Sequence, residues 1–557
     1  MTEDLLNHYR DLLVNEGYHA EVVIPNTLKI QFHILGHQID ASCIFPDAFP
    51  YQFPFVQLSE DTAELCKEFA HRFKKDFLCL FNPADAKPAF LYPDQVLLAT
   101  IKKAESVLFA GFTGDNEAEF TKEFLEYWNQ HITSEFILFS HFPDQISLFY
   151  ASHINKYSFV LASDKNHLDC VVSNIFHDQA LSKEVSAGLY IPLSKGFCPF
   201  RIKTERDMWE IISMHTTSDD KQCINAKMQA TRNQCKLFVV SFPSENDQRV
   251  YLGWISSGFK SIDGFRTDHI SPFVYWKLQS NNQLTNIMSA SVTQCSQEYL
   301  YHRGSYGFEH RFESVAIVGC GSVGGEIAVQ LSTMGTNQFA LIDNDVLTTD
   351  NIARHVCGYD FVGLKKTQCL QYLLQHSNPN INCTVFSEDA FQAIARQIDL
   401  INQTECMFVA VGDIALEAFI MKMAEDGKLK VPLVILWVEP RCYAGHLIYI
   451  SHPNRACEAL IAPDTLTYRG TVIKGSSFVE HLPGCSAGFI PYSGLDVKQF
   501  ISRSLHELSR MREHPALQGN YHYVWIGELS EARRQGIEVS KEYAEVPDFS
   551  FIVKRFD

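Results

Sequence analysis

Between the apolar run Val315–Val318 and a helical stretch reaching to about Gly335 lies Gly319-Cys320-Gly321-Ser322-Val323-Gly324. Glycines at these positions permit a tight turn and close backbone approach to a ligand, and the start of the following helix favours a phosphate. Asp343 closes the next apolar run, Phe339–Ile342, 22 residues after Gly321, where a carboxylate can accept hydrogen bonds from ribose hydroxyls. Two further runs, Met407–Val411 and Val431–Val438, are also short, continuous and bounded by turn residues. Continuous runs suit strands buried on both faces. The stretch therefore predicts a doubly wound, largely parallel, Rossmann-like sheet with helices between its strands. Taken alone, the turn and the acid would equally serve a nicotinamide-dependent dehydrogenase.

At 557 residues the chain exceeds one ordinary hydrophobic core, and about two to four domains are expected. Basic residues number 47 and acidic residues 65, for a formal net charge of −18. That argues against a general nucleic-acid binder or a polybasic membrane-surface protein, because both need positive potential. None of the 16 cysteines forms a C-x-x-C pair, which speaks against a ribbon-type zinc site or a redox dithiol. The N-terminus, Met1-Thr2-Glu3-Asp4, has no basic region followed by an apolar stretch, so no secretory signal is expected. The run Val431–Val438 falls far short of the roughly 20 residues that span a bilayer. The expectation is a cytoplasmic, reduced protein with free thiols.

The residues after Asp343 separate the two uses of the glycine turn. The chain reads Val346-Leu347-Thr348-Thr349-Asp350-Asn351-Ile352-Ala353-Arg354-His355, then Gly363-Leu364-Lys365-Lys366 at the start of another helix. Later, Phe408-Val409-Ala410-Val411-Gly412-Asp413 closes a strand. A dehydrogenase has little use for Arg354, Lys366 and Asp413 around one site. An enzyme that splits ATP needs cations to offset charge on the triphosphate and a carboxylate for magnesium. Over roughly residues 303–500 the sequence resembles the adenylation domain shared by ubiquitin-activating enzymes and the bacterial ThiF and MoeB proteins. The resemblance implies ATP and Mg2+ as cofactors. It puts Gly319, Gly321 and Gly324 at the phosphates, Asp343 on the ribose, Asn351, Arg354 and Lys366 on phosphates, and Asp413 on magnesium. Arg303 or Arg311 is a weaker candidate for an arginine reaching the nucleotide, and dimerisation through this domain is implied as well. Many sulfur-carrier adenylating proteins carry paired C-x-x-C motifs, which this sequence lacks. Asn351–His355 looks more like bacterial fusions of conjugating and activating enzymes, encoded in antiphage operons of the CBASS type and related ubiquitin-like systems.

The same resemblance implies a thiol after Asp413 that takes the acyl group from the adenylate, since a thioester conserves the activation. Among Cys442, Cys457 and Cys485, the favoured residue is Cys485, in the glycine- and proline-rich His481-Leu482-Pro483-Gly484-Cys485-Ser486-Ala487-Gly488-Phe489-Ile490-Pro491-Tyr492. Cys457 is the reserve.

Residues 1–130 open with an amphipathic helical pattern (Leu5, Leu6, Tyr9, Leu12, Leu13) and continue into the extended runs Ala20–Ile24 and Leu28–Ile34. Prolines every four residues, Pro46, Pro50 and Pro54, exclude a helix interior. A helix is expected over Asp94–Leu108, and Gly111–Asn116 reads as a loop. Phe45-Pro46 through Val56 resembles the strand of ubiquitin-conjugating folds that precedes the active-site segment, and Phe77-Leu78-Cys79-Leu80 resembles that segment. Cys79 is thus implied as a second thiol carrier. The usual His-Pro-Asn triplet is replaced by Phe73-Lys74-Lys75-Asp76, so no oxyanion-stabilising asparagine is assigned. His71, Lys74 and Lys75 would favour the Cys79 thiolate electrostatically. Cys43 sits in an apolar strand and reads as core. Residues 131–300 carry strand-like pieces, among them a hairpin of Lys236–Phe242 with Arg249–Ile255, and read as a connecting α/β domain.

The implied whole has three parts: a ubiquitin-conjugating-like α+β domain (1–130), the connecting domain (131–300) and the adenylation domain (301–557). It would adenylate the C-terminal glycine of a ubiquitin-like protein or of a cyclic-nucleotide synthase. The acyl group would then pass through Cys485 and Cys79 to target lysines. The alternatives are a ThiF- or MoeB-like activator of a sulfur-carrier protein, with residues 1–130 as an unrelated appendage, and a non-catalytic nucleotide-binding scaffold.

Overall fold

The computed structural model describes residues 1–557 except 67–68, 70, 72–75, 83–85, 116–123, 130–131, 156, 177–184, 198–201, 245–247, 263, 267, 280–285, 305–310, 452–455, 475–477, 482–487, 514–518 and 557. Two compact units result, Met1–Leu168 with Ser182–Thr293, and Asp169–Leu181 with Gln294–Asp557.

The first unit begins with the helix Glu3–Asn15 and a four-stranded antiparallel sheet in chain order: β1 (His19–Val23), β2 (Thr27–Ile34), β3 (His37–Ile44) and β4 (Phe55–Leu58). Leu28, Ile30, Phe32 and Ile34 alternate along β2 and are buried with Leu6, Tyr9 and Leu13 of the helix, the pattern of a strand with one covered face. Cys43 is fully buried in this core. The helix expected from Asp94 runs over Pro93–Thr113, ending at Gly114 in the left-handed region. It thus continues through part of the stretch read as a loop, because Phe112 packs edge-on against Phe69 and stacks on His37. Gly111 permits this contact, since a Cβ there would lie 2.2 Å from the Phe69 ring.

Seven strands come next and close into a barrel: β5 (Ser134–Leu138), β6 (Ser147–His153), β7 (Ser158–Ala162), β8 (Val185–Pro192), β9 (Leu237–Pro243), β10 (Arg249–Ile255) and β11 (Met288–Gln294). The expected hairpin is β9 with β10. Phe136, Phe149, Leu161, Tyr190, Val239 and Tyr251 fill the interior. The intervening residues of β8–β10 pack instead with Trp209 and Trp276 from the helices Glu205–Met214 and Pro272–Leu278.

The second unit is built on an eight-stranded sheet of order β14-β13-β12-β15-β16-β17-β22-β23. Its parallel part is β12 (Ser314–Val318), β13 (Gln338–Ile342), β14 (Asn382–Phe386), β15 (Cys406–Val409) and β16 (Leu433–Val438). It is extended by the antiparallel β17 (Ala444–Ile450), β22 (Asn520–Ile526) and β23 (Phe551–Phe556). Two small hairpins lie between, β18 (Ile461–Ala462) with β19 (Thr467–Tyr468) and β20 (Glu480–His481) with β21 (Gly488–Phe489). Val315 and Ile317 belong to the core on one face of the sheet, Ala316 and Val318 to that on the other. Both faces are covered, which is why these runs are continuously apolar. The chain leaves β12 toward β13 and later returns to its opposite side at β15. Ligands of open α/β sheets bind where the order reverses in this way. No helix among the described residues is long and apolar enough to cross a membrane.

Candidate nucleotide and thiol sites

The glycine turn sits at that reversal, and its three glycines have different reasons to lack a side chain. Gly319 has φ +87°, and a Cβ on it would meet the Ala410 carbonyl oxygen at 2.6 Å. A Cβ at Gly324 would lie 1.8 Å from the Gly319 oxygen. Gly321 caps the helix Ser322–Thr333 with nothing within 4 Å of its Cβ position, so its open side leaves room for a ligand. Gly324→Ala is accordingly expected to destabilise the protein by about 3 kcal/mol or more. Gly321→Ala should melt within about 0.5 kcal/mol of the parent and instead weaken ATP binding. Thermal unfolding and calorimetry separate the two.

Two contiguous cavities of about 250 and 320 Å³ flank the turn, sharing Gly321, Lys366, Ala410 and Val411. Asn351, Arg354, His355, Trp437 and Tyr492 line the first, and Gly319, Asp343, Asp345 and Asp413 line the second. Asp343 is fixed by two backbone donors, Cys320 N–H to Oδ2 and Asp345 N–H to Oδ1, both at 2.7 Å. Lys366, at the start of the helix Lys366–Ser377, reaches Asp345 Oδ2 at 2.7 Å. Arg354 lies 5.1 Å from the Tyr492 ring centroid and donates to the Asp350 carbonyl at 3.1 Å. Asn351 Oδ1 accepts the Thr348 N–H, which ties down the short helix Thr349–Asn351. His355 donates from Nε2 to the Cys320 carbonyl at 2.8 Å and accepts the Cys357 N–H at Nδ1. Burial lowers its pKa, so a neutral imidazole braces the turn. Asp413 Oδ1 caps the helix Ile414–Glu425 through the N–H groups of Ala415 and Leu416. No cluster of three or more potential metal ligands occurs among the described residues. Asp413, in a cavity that Asp343, Asp345 and Asp389 also line, fits magnesium, which is held by few protein groups together with substrate phosphates. Arg311 pairs with Glu313 at 3.3 Å and lines neither cavity, and the Arg303 side chain lies outside the described residues.

Residues 309–474 match the ThiF family, and residues 23–137 match Prokaryotic E2 family B. The chain joins a ThiF-type domain to a prokaryotic E2-type domain. Its curated relatives include the uncharacterized protein y4oA of Sinorhizobium fredii, 37% identical over 130 residues, which are 23% of this chain and 19% of that protein. The ATP-dependent ubiquitin transferase-like protein Cap2 of Enterobacter hormaechei is 26% identical over 176 residues, 29% of each. The adenylyltransferase and sulfurtransferase MOCS3 of Mus musculus is 30% identical over 93 residues, 16% of this chain and 20% of that protein. The chain thus spans less than a third of the length of each of these relatives. Among solved structures, PaaA (19% identity, TM-score 0.30) covers 45% of this chain with 66% of its own. Escherichia coli MccB (13% identity, TM-score 0.29) covers 45% with 65%.

In the ThiF-type unit, Cys320, Cys357, Cys369, Cys383, Cys406 and Cys442 are all buried, and burial pushes each thiol up, to about 12 for Cys357, Cys383 and Cys442. A thiol held protonated is a poor nucleophile, which disfavours Cys442 as an acyl carrier. Cys457 belongs to the helix Ala456–Leu460. Cys485 lies outside the described residues, between β20 and β21. In the E2-type domain, Cys79 is half-buried, and its N–H donates to the His71 carbonyl at 2.7 Å. Lys74 and Lys75 lie outside the described residues.

One group of residues carries no sequence motif. Trp437, on the cavity wall, stacks on His446 at 4.5 Å and on Tyr468 at 4.2 Å. His446 lies between Glu439, 2.8 Å from its Nε2, and His522, 3.0 Å from its Nδ1. Burial, followed by the charges of His446 and Lys554, holds the His522 pKa well below the usual histidine value. The unfolded chain therefore takes up a proton near pH 6.5 that the folded chain refuses, so the neutral His522 stabilises above that pH. The contribution is lost on acidification, at about 1.4 kcal/mol per pH unit below 6.5. Urea unfolding at pH 7, 6 and 5 should show this slope, and His522→Gln should flatten it.

Proposed function

We propose that this chain is a fused activating and conjugating enzyme that uses ATP to activate the C-terminal glycine of a protein partner. The single observation that carries this reading is the placement of Asp343, Asn351, Arg354, Lys366 and Asp413 around two contiguous cavities at one glycine turn. A nicotinamide cofactor would leave Arg354, Lys366 and Asp413 without work. The partner's carboxylate attacks the α-phosphorus and pyrophosphate leaves. Asp343 would accept from the ribose, Asn351, Arg354 and Lys366 would hold phosphate oxygens, and Asp413 would hold Mg2+, which would supply charge neutralisation on the triphosphate. The Cys485 thiolate then attacks the acyl carbon, and AMP departs. Cys79 takes the acyl group by thioester exchange, and a target lysine amine forms the amide while the thiol is released.

In this reading residues 1–130 conjugate, 131–300 connect and 301–557 activate, with the last forming a dimer. The match of residues 23–137 to Prokaryotic E2 family B supports a second carrier. The Cap2 relative, described as ubiquitin transferase-like, supports a ubiquitin-like protein as partner; the C-terminus of a cyclic-nucleotide synthase, in antiphage defence, is the other partner this reading includes. Similarity to MOCS3 favours a second reading, activation of a sulfur-carrier protein. Cys79→Ala in the full chain decides between them. Conjugation predicts that the Cys485 adduct still forms and the amide product is lost. Unchanged product would favour the sulfur-carrier reading.

A further inference from the structure

We propose that Trp437 sets the size of the residue that the enzyme activates, its indole forming a fixed wall that admits a terminal glycine and excludes a branched side chain. This rests on the reading of the glycine turn as an ATP site.

The two cavities at the turn differ in charge. Asp343, Asp345, Asp389 and Asp413 line the second, whereas the described residues lining the first include Arg354 and Lys366 and no carboxylate. A ribose on Asp343 places the adenosine in the second cavity. A C-terminal carboxylate is repelled by the acids there and attracted by the cations of the first. The acyl end of the adenylate therefore falls in the first cavity. Trp437 lines that cavity and not the other.

Two stacked rings clamp the indole. Trp437 stands opposite His446 across the β16–β17 pair, and their rings stack at 4.5 Å with planes 10° apart. Tyr468 of β19 stacks at 4.2 Å with planes 18° apart. Each clamping ring is anchored in turn by a buried carboxylate. His446 Nε2 lies 2.8 Å from Glu439 Oε1, and the Tyr468 hydroxyl donates to Glu417 Oε2 at 2.8 Å. Glu439 is 6% exposed and Glu417 1%. Turning the indole aside would forfeit both stacks and open a gap that the anchored rings cannot follow it to fill. The wall does not yield, so a side chain on the activated residue meets it as overpacking. Glycine has no atoms to clash.

Trp437 transfers no proton and holds no phosphate. Its effect is on discrimination, and a close apolar wall separates side chains that differ by one methylene by about 10–200-fold. The selectivity comes from a built-in clash rather than from an added attraction.

The test measures binding of three compounds to the full chain by calorimetry. One is 5′-O-sulfamoyladenosine. The others are the same molecule acylated on its sulfamate nitrogen with N-acetylglycine or with N-acetylleucine, as stable stand-ins for the adenylate. Wild type is expected to bind the glycyl compound at least about 10-fold tighter than the leucyl one. Trp437→Ala should gain affinity for the leucyl compound and bind the two acyl compounds within about 3-fold of each other. Loosening of the fold alone would not produce that gain. Three outcomes would overturn the role of Trp437 and leave the nucleotide reading in place: equal binding of the acyl compounds by wild type, an undiminished preference in Trp437→Ala, or an equal loss for all three compounds in that variant. Wild type binding none of the three would remove the nucleotide reading and this role with it. Should Trp437→Ala not unfold cooperatively, Trp437→Leu takes its place with the same expected narrowing of the preference.

Discussion

Cys485→Ala is expected to exchange pyrophosphate into ATP within about 2-fold of wild type and to form no thiol-linked adduct with its partner, a loss of at least about 100-fold. Adenylation and thiol capture draw on different residues. The first needs the cations and carboxylates at the glycine turn, while the second needs only a thiolate able to reach the acyl carbon. No buried cysteine described in the same unit can substitute, because Cys320, Cys357, Cys369, Cys383, Cys406 and Cys442 are enclosed and held protonated. Cys79 should also remain uncharged in this variant. A Cys485→Ala protein that still charges Cys79 would break the proposed order of transfer.

Lys366→Ala and Arg354→Ala should each lower pyrophosphate exchange by about 10²–10³-fold, the usual cost of removing a preorganised group that meets developing charge. Neither should unfold the protein. Lys366 is only 12% exposed, but its partner Asp345 is 63% exposed and stays solvated when the lysine is lost, so no buried charge is left unpaired. Arg354 anchors a carbonyl at the edge of the cavity rather than a core group. Asp413→Asn differs, since asparagine is also a good helix cap. Its expected signature is a raised magnesium requirement at nearly unchanged melting temperature, read from exchange rates across a magnesium titration.

The nucleotide site is largely legible in the sequence because its signals are local. A both-faces-buried strand, a glycine turn, a strand-end acid and a helix-start lysine are each written in a few consecutive residues, and Asp343, Lys366 and Asp413 meet because parallel strands end on one edge. The remainder depends on contacts distant in sequence. β5 pairs in parallel with β7 across β6, and β8 pairs in parallel with β9 across more than forty intervening residues, so the closed barrel leaves only the β6–β7 and β9–β10 hairpins as local traces. The antiparallel extension through β17, β22 and β23 likewise obeys no short pattern. Tyr492 stands in the sequence only as part of a proline–tyrosine pair, and its place beside Arg354 arises from how residues 491–493 dock on the turn after β16. Glu439, His446 and His522 are single polar residues among apolar strands, and nothing in their spacing marks them as one group.

The proposed chemistry requires a triphosphate, rather than a dinucleotide, in the turn at Gly319–Gly324. Calorimetric titration of the full chain with ATP and magnesium, beside the same titration with NAD, decides between the two ligands. Saturable binding of ATP that weakens in Lys366→Ala and Arg354→Ala is expected, with no heat from NAD. Saturable heat with NAD and none with ATP would refute the assignment.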